Sequence, residues 1–167
     1  MQGNLILGTL GERMASVADV HAHAPGNAYE RPGFLIKQAQ AALHAEMARA
    51  LAAHDATVSQ YAVLSALDQE SGLSNAQLAR RAFITPQSMS ENLRELEQRA
   101  WVTRRPHPDH GRILQAELTE LGHEVLGRCE AAVTVIEERM LAGFDSGQRR
   151  DLAAALRACV TALDPSR

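Results

Sequence analysis

Residues 74–98 read SNAQLARRAFITPQSMSENLRELEQ, and this stretch decides the fold. Ser74, followed three residues later by Gln77, forms the capping-box pattern that begins a helix. A second helix start follows at Thr85, which is a good N-cap, with Pro86 at the favoured first helical position. The stretch therefore predicts a short helix to about residue 82, a tight turn in the two residues before Thr85, and a second helix.

The second of these helices has two different faces. Met89, Leu93 and Leu96 recur at steps of four and three, so they lie on one apolar stripe that faces a core. The opposite side is polar, with Gln87, Ser88, Ser90, Glu91 and Arg94. A helix that is narrow and polar on its outer face can enter the DNA major groove, which is about 12 Å wide.

After Ala100 the apolar pattern changes from helical to alternating. Residues 101–105 (WVTRR) and 113–118 (ILQAEL) contain β-branched residues, and a loop with proline and glycine joins them, which predicts a hairpin. Helix, turn, second helix and basic hairpin form the order of a winged helix-turn-helix. We expect the wing to carry His110 or Arg112 to a minor groove or its phosphates.

Longer helices flank this lobe. Apolar residues at three- and four-residue steps predict a helix over 33–54, and a second helix begins after Thr57 and ends at Gly72. Another is predicted from residue 120 to about Phe144, and a capping box at Asp145 opens the last one. The predicted fold is mainly α with a small β-hairpin wing.

The chain divides into three parts on this basis. Residues 1–32 form an N-terminal extension, punctuated by glycine and proline, that is either a disordered tail or an extra helix. Residues 57–119 form the DNA-binding lobe. Residues 33–56 and 120–164 have apolar faces wider than one small lobe can cover, so we expect them to form a dimer base.

The distribution of charge also favours DNA binding. The chain carries −3 overall, but the segment from Arg80 to Arg112 contains seven arginines and four carboxylates, a net +3 that leaves −6 elsewhere. A basic patch on an acidic body is typical of a small DNA-binding module.

Side-chain chemistry suggests individual contacts. Gln87 can read adenine, Arg94 can read guanine or hold a phosphate, and Glu91 can accept from cytosine N4. The helix N-terminus can hold a phosphate. The full predicted DNA-binding set is Ser74, Thr85, Pro86, Gln87, Ser88, Ser90, Glu91, Arg94, Arg104, Arg105, His110 and Arg112.

Composition excludes several other classes of protein. No apolar run of about 18 residues is present and the N-terminus lacks a signal pattern, so we expect a cytoplasmic protein without a membrane partner. Cys129 and Cys159 lie thirty residues apart without a CxxC pair, which favours two small buried side chains over a zinc finger, a disulfide or a redox-sensing thiol. No nucleophile–base pair, phosphate loop or ligand cluster is visible, so we expect no catalysis, metal or cofactor.

Several segments carry a family resemblance through their order and spacing: Thr57–Leu64, Gly72–Arg81, Thr85–Ser90, Leu93–Glu97, Trp101–Pro106, Gly111–Ile113 and Leu118–Gly122. With them, the chain from about Phe34 to Leu163 resembles the multiple-antibiotic-resistance regulator (MarR) family. The resemblance implies a transcription regulator, usually a repressor, whose first, fifth and sixth helices interleave in a homodimer. Two-fold symmetry then predicts a pseudo-palindromic operator with half-sites roughly 34–36 Å apart.

The sequence departs from the family pattern at the wing and at the recognition helix. His110 stands where the family usually has an aspartate, although Arg112 matches the arginine at the wing tip. Glu91 lies near the outer face of a recognition helix that has fewer cations than usual. These differences bear on the operator sequence and the affinity rather than on the fold.

The resemblance also implies a small amphipathic or phenolic effector. Such a ligand binds between dimer base and lobe and selects a lobe spacing that no longer fits DNA. We expect Gln38, His44, Tyr61 and Leu64 to line this crevice. The main alternative is a helical dimer that acts through protein partners without sequence-specific DNA binding, which the acidic total charge favours.

Overall fold

The computed structural model describes residues 27–108 and 113–163. A short 3₁₀ helix covers Ala28–Glu30. The elements that follow are, in chain order, α1 (Pro32–Ala52), α2 (Val58–Gln69), β1 (Leu73–Ser74), α3 (Asn75–Arg81), α4 (Pro86–Gln98), β2 (Val102–Pro106), β3 (Leu114–Leu118), α5 (Glu120–Met140) and α6 (Ser146–Leu163). The chain divides into two compact units, and the boundary falls after Ala39, within α1.

The described part of the N-terminal unit is organised locally. The Asn27 side chain accepts a hydrogen bond from the Tyr29 N–H at 3.2 Å and caps the 3₁₀ helix. The Tyr29 and Phe34 rings meet edge to face, with their centroids 4.8 Å apart, an arrangement that aromatic pairs favour.

Threonine and serine caps set the starts of the helices in the lobe. Thr57 Oγ1 accepts from the Gln60 N–H at 3.1 Å while the Thr57 N–H donates to Gln60 Oε1 at 3.0 Å, a reciprocal capping box. Ser74 and Gln77 make the same arrangement at α3, as the sequence predicts. Thr85 caps α4 with proline at the first helical turn. The predicted helix-turn-helix is therefore confirmed.

The wing belongs to a three-stranded antiparallel sheet with the order β1-β3-β2. Strands β2 and β3 pair in the register Val102 opposite Leu118, which confirms the predicted hairpin. The third strand, β1, was not predicted from the sequence. It pairs Leu73 with Ala116 and so fixes the start of α3 against the wing.

A core of apolar residues lies beneath the helix-turn-helix. Leu64 of α2, Leu78 of α3 and Leu96 of α4 are fully buried, and α5 contributes Leu126 and Cys129 to the same cluster. Burial of each large apolar side chain stabilises the fold by about 1.5–3 kcal/mol. Helix α4 is therefore held on a packed base.

The predicted end of α5 was wrong. The helix ends at Met140 rather than near Phe144. The Arg149 guanidinium of α6 donates to the Leu141 and Phe144 carbonyls and pairs with Glu138, so these contacts close a turn that apolar spacing alone does not reveal. The predicted capping box that opens α6 is confirmed: Asp145 Oδ1 accepts from the N–H of residues 147 and 148.

Two further findings apply to the described ranges alone. Within residues 27–108 and 113–163, no helix has both the length and the apolar character that crossing a bilayer demands. The same ranges contain no group of three or more His, Cys, Asp and Glu side chains that could hold a metal ion.

Candidate nucleic-acid interface

Helix α4 turns a polar stripe to solvent. Gln87, Glu91 and Arg94 are all exposed and follow one another at steps of four and three, so they share one side of the helix. The buried residues of α4 are Met89, Leu93 and Leu96, on the opposite side. Because the buried stripe packs on the lobe, the polar stripe is held outward in the manner that reading a groove requires.

The hydroxyl groups at the start of α4 shape the helix itself. Thr85 Oγ1 accepts from the Ser88 N–H at 3.1 Å and lies 2.9 Å from Ser88 Oγ. Ser90 Oγ donates to the Pro86 carbonyl at 2.9 Å, and Asn75 Nδ2 donates to the same oxygen at 3.1 Å. The predicted DNA-binding residues of this turn are thus brought together, with their hydroxyls ordered by the helix.

Ser74 stands at the start of α3 rather than on α4. Its N–H donates to Gln77 Oε1 at 2.9 Å and its hydroxyl caps the helix. The side chain of the next residue, Asn75, links the start of α3 to the start of α4 through the Pro86 carbonyl. Both helix starts therefore lie at one edge of the lobe.

The base of the wing lies beside α4. The Arg104 guanidinium of β2 pairs with Glu97 of α4, and both side chains are half-buried. Arg105, the next residue, is exposed. His110 and Arg112, which the sequence predicts to contact DNA at the wing tip, lie outside the described residues.

Two neighbouring clefts run between α4 and the wing and share Ser90 and Arg104. One, of about 310 Å³, is lined by the outer residues of α4, namely Gln87, Ser90, Glu91 and Arg94, together with Arg104. The other, of about 390 Å³, is lined by Ser74, Asn75, Ala76, Ser90, Arg104, Ile113 and Leu114. The predicted residues of β1, α4 and β2 therefore line two adjoining clefts.

Charges of both signs surround these clefts. Arg94, which lines one of them, is exposed, and Arg104, which lines both, pairs with Glu97. Glu91 remains exposed within the polar stripe. Exposed charges of both signs therefore lie at these clefts.

Comparison with known proteins identifies the family. Residues 54–113 match the model of the MarR family. The HTH-type transcriptional repressor Rv2887 of Mycobacterium tuberculosis is 37% identical over 124 residues, which cover 74% of this chain and 89% of that repressor. The chain belongs to the MarR family. The predicted family and the predicted fold class are both confirmed.

Solved structures of the same mycobacterial MarR-family protein superpose on the chain. Its complex with salicylic acid gives a TM-score of 0.65 at 36% identity and covers 77% of this chain and 96% of that one. Its complex with DNA gives a TM-score of 0.65 at 33% identity and covers 77% of this chain and 97% of that one. Salicylic acid and DNA are thus ligands of that relative.

The sequence missed the residues that position the MarR-type recognition helix. Glu97, which pairs with Arg104, and Asn75, which bonds the Pro86 carbonyl, were not among the predicted site residues. Asn92 and Glu95 contact α2 through hydrogen bonds and were also missed. Their partners are distant in sequence, so no local pattern indicated them.

The predicted effector residues lie in different surroundings. Gln38 is exposed in the N-terminal unit, and His44 is exposed on the part of α1 that belongs to the larger unit. Leu64 is fully buried in the core. Tyr61 is half-buried, and this burial raises the pKa of its phenol, so the hydroxyl stays protonated at neutral pH. The effector crevice stays a prediction.

Proposed function

We propose that this MarR-family protein is a transcription repressor, cytoplasmic and without catalytic activity, that binds a pseudo-palindromic operator as a homodimer. The observation that carries the proposal is the exposed stripe of Gln87, Glu91 and Arg94 on a helix whose opposite side is buried. A single helix with this division of faces, beside a basic hairpin, suits insertion into the major groove.

The homodimer is supported by apolar surface on the terminal helices. Along its whole length α6 has no buried residue, and Val160 and Leu163 are 68% and 82% exposed. On α5, Val135 is 69% exposed. Exposed apolar residues on long helices mark an interface, and we propose that the two protomers bury them against each other.

A small aromatic carboxylate is the effector class that we propose, because the relative Rv2887 has been solved with salicylic acid. The 390 Å³ cleft beside the wing offers groups for such a ligand. Arg104 Nε and Asn75 Oδ1 are buried and lack a hydrogen-bond partner among the described residues. Once a side-chain rotation uncovers these two atoms, the donor can bond a carboxylate and the acceptor can bond a phenol.

A crevice at Tyr61, within the larger unit, is the second candidate for the effector. The half-buried phenol of Tyr61 favours it. Salicylate titration of the wild type, Asn75→Ala and Tyr61→Phe distinguishes the two candidates. Loss of salicylate binding in Asn75→Ala alone assigns the cleft beside the wing, and loss in Tyr61→Phe alone assigns the crevice.

DNA binding is tested by fluorescence anisotropy on a duplex selected by the wild-type protein from a random pool. A scrambled duplex is measured beside it at several salt concentrations. Arg94→Ala and Arg112→Ala remove predicted contacts, whereas Arg31→Ala removes an exposed arginine outside the lobe and the predicted dimer base and serves as the matched control. The proposal predicts steep salt dependence, since phosphate contacts release counterions.

The expected result is preferential binding of the selected duplex that weakens in Arg94→Ala and Arg112→Ala and not in Arg31→Ala. A wild-type protein that selects no sequence, with equal weak binding to both duplexes, contradicts the proposal. That result would favour the alternative in which the dimer acts through protein partners.

A further inference from the structure

Two hydrogen bonds join the recognition helix α4 to the first turn of α2. Asn92 Nδ2 donates to Ser59 Oγ at 2.7 Å, and Gln60 Nε2 donates to Glu95 Oε2 at 2.9 Å. Asn92 and Glu95 are one turn apart on α4, and Ser59 and Gln60 are neighbours on α2. We call these four residues the α2–α4 clamp.

Gln60 is the buried member of the clamp. It is only 1% exposed, and it is the one polar or charged residue among the buried residues of the described ranges. Its amide oxygen accepts from the Thr57 N–H while its amide nitrogen donates to Glu95, so both ends of the side chain are used. A buried amide satisfied in this way has one orientation, because turning it would leave both partners unpaired.

The clamp lies on one flank of α4, and the wing lies on the other. At 100° per residue, Asn92 and Glu95 fall on one side of the exposed stripe, and Glu97, which pairs with Arg104 of β2, falls on the other side. The stripe of Gln87, Glu91 and Arg94 is therefore bracketed by polar contacts.

Directional contacts on both flanks restrict a motion that the core permits. Apolar burial is non-directional, so leucines beneath α4 tolerate a small rotation of the helix about its own axis. A rotation of about 20° moves a side-chain tip, about 5–6 Å from the axis, by about 2 Å. Hydrogen bonds to a base edge need donor and acceptor within roughly 2.7–3.2 Å, so this rotation breaks them.

We propose that the α2–α4 clamp sets the rotation of the recognition helix and thereby the operator preference, with Ser59, Gln60, Asn92 and Glu95 as positioning residues that do not touch DNA. The inference rests on the proposed function. Attraction to phosphates, which is independent of sequence, does not depend on this rotation. The clamp therefore governs the ratio of specific to non-specific affinity.

The first test is a double-mutant cycle of Ser59→Ala and Asn92→Ala on the duplex selected by the wild type and on its scrambled version. We expect each single variant to lose about tenfold in the ratio of the two affinities, the equivalent of one base contact. The double variant is expected to lose no more than either single one, since both remove the same hydrogen bond. Binding of the scrambled duplex and its salt dependence are expected to stay as in the wild type.

The second test compares Glu95→Gln with Glu95→Ala. Both variants remove the same negative charge, so both increase the attraction to phosphates equally. Only Glu95→Gln keeps an oxygen that accepts from Gln60. The clamp predicts that Glu95→Gln keeps the wild-type ratio of specific to non-specific affinity and that this ratio falls in Glu95→Ala. Because Glu95 is exposed, neither change disturbs the core.

A stability control distinguishes the proposed positioning role of the clamp residues from a general contribution to folding. Val133→Ala removes a buried apolar side chain of α5 rather than a contact of α4, and it is expected to lower the melting temperature while leaving the ratio of specific to non-specific affinity unchanged. The inference is overturned if the Ser59 and Asn92 variants, like this control, lower the melting temperature without changing the affinity ratio. It is also overturned if the ratio falls equally in the two Glu95 variants. If the wild type selects no sequence at all, the proposed function itself fails and takes the inference with it.

Discussion

Gly122, near the start of α5, is a position where alanine is expected to damage the fold. A Cβ atom there would lie 2.0 Å from the Trp101 carbonyl oxygen and 3.0 Å from its carbonyl carbon. That oxygen also accepts the Thr119 N–H at 3.1 Å. Gly127, one and a half turns further along the same helix, is exposed and has no atom within 4 Å of the corresponding Cβ position. The two glycines therefore offer the same substitution in opposite surroundings.

The distances set the expected magnitudes. A carbon–oxygen contact is usually about 3.3 Å or more, so Gly122→Ala forces a movement of about 1.3 Å. Overpacking costs about 1–3 kcal/mol and the strained Thr119 hydrogen bond adds about 1 kcal/mol, so we expect a loss of about 3 kcal/mol in the free energy of unfolding. Gly127→Ala should gain about 1 kcal/mol, because alanine is the better helix former.

Thermal unfolding followed by circular dichroism at one protein concentration measures both changes. At about 2–4 °C per kcal/mol for a chain of this length, Gly122→Ala is expected to melt roughly 6–12 °C below the wild type and Gly127→Ala roughly 2–4 °C above it. Shifts of the same sign, or a Gly122→Ala variant as stable as the wild type, would refute the close approach of α5 to the Trp101 carbonyl.

Three further predictions follow from the backbone, the charges and the thiols. Phe83 has φ +54° and is 92% exposed, so Phe83→Gly should raise the free energy of unfolding by about 0.5–1 kcal/mol, whereas Phe83→Ala, which keeps a Cβ, should give no such gain in the same melting assay. The hydrogen bond from Arg139 lowers the pKa of Glu46 below its unfolded value of about 4.3. The ionised carboxylate therefore stabilises the fold above the unfolded pKa, and this contribution is lost as the pH falls through the folded pKa. Glu46→Gln should accordingly lose less stability than the wild type between about pH 5 and pH 3. Burial raises the pKa of the Cys129 thiol, so a thiol reagent at neutral pH should label Cys129 only after unfolding. The prediction of a buried Cys159 was wrong for the single protomer, in which this thiol is exposed on α6.

Each of these predictions has a clear contradicting result. Equal gains in Phe83→Gly and Phe83→Ala would assign the effect to the ring rather than to the backbone. Parallel acid unfolding of wild type and Glu46→Gln would mean that the ion pair contributes nothing measurable. Rapid labelling of Cys129 in the folded protein would contradict its place in the core.

Local signals explain why most of the fold was predictable from the sequence. Caps at Ser74 and Thr85 act within three residues, and the stripe of Met89, Leu93 and Leu96 repeats with the helical period, so both are visible without tertiary information. Strand β1 escaped prediction because two residues cannot show an alternation. Its identity depends on pairing with β3, more than forty residues away.

The same distinction applies to the candidate site. The exposed residues of α4 could be predicted because they lie opposite the apolar stripe. The contacts that hold α4 in place could not, since Asn92 meets Ser59 across 33 residues and Glu95 meets Gln60 across 35. The contact of Arg104 with Glu97 crosses from strand to helix and converts a predicted DNA-binding arginine into a residue that also supports α4. Polar contacts between residues far apart in the sequence are visible only in the folded chain, so the sequence alone could not predict them.

The central claim, that two copies of α4 read two major-groove half-sites, is tested most directly by dimethyl sulfate footprinting of the selected duplex, because this reagent reports guanine N7 in the major groove. The account predicts two protected blocks related by a dyad and centred roughly one helical turn apart, both weakened in Arg94→Ala. A single block, or uniform weak protection that Arg94→Ala leaves unchanged, would contradict it.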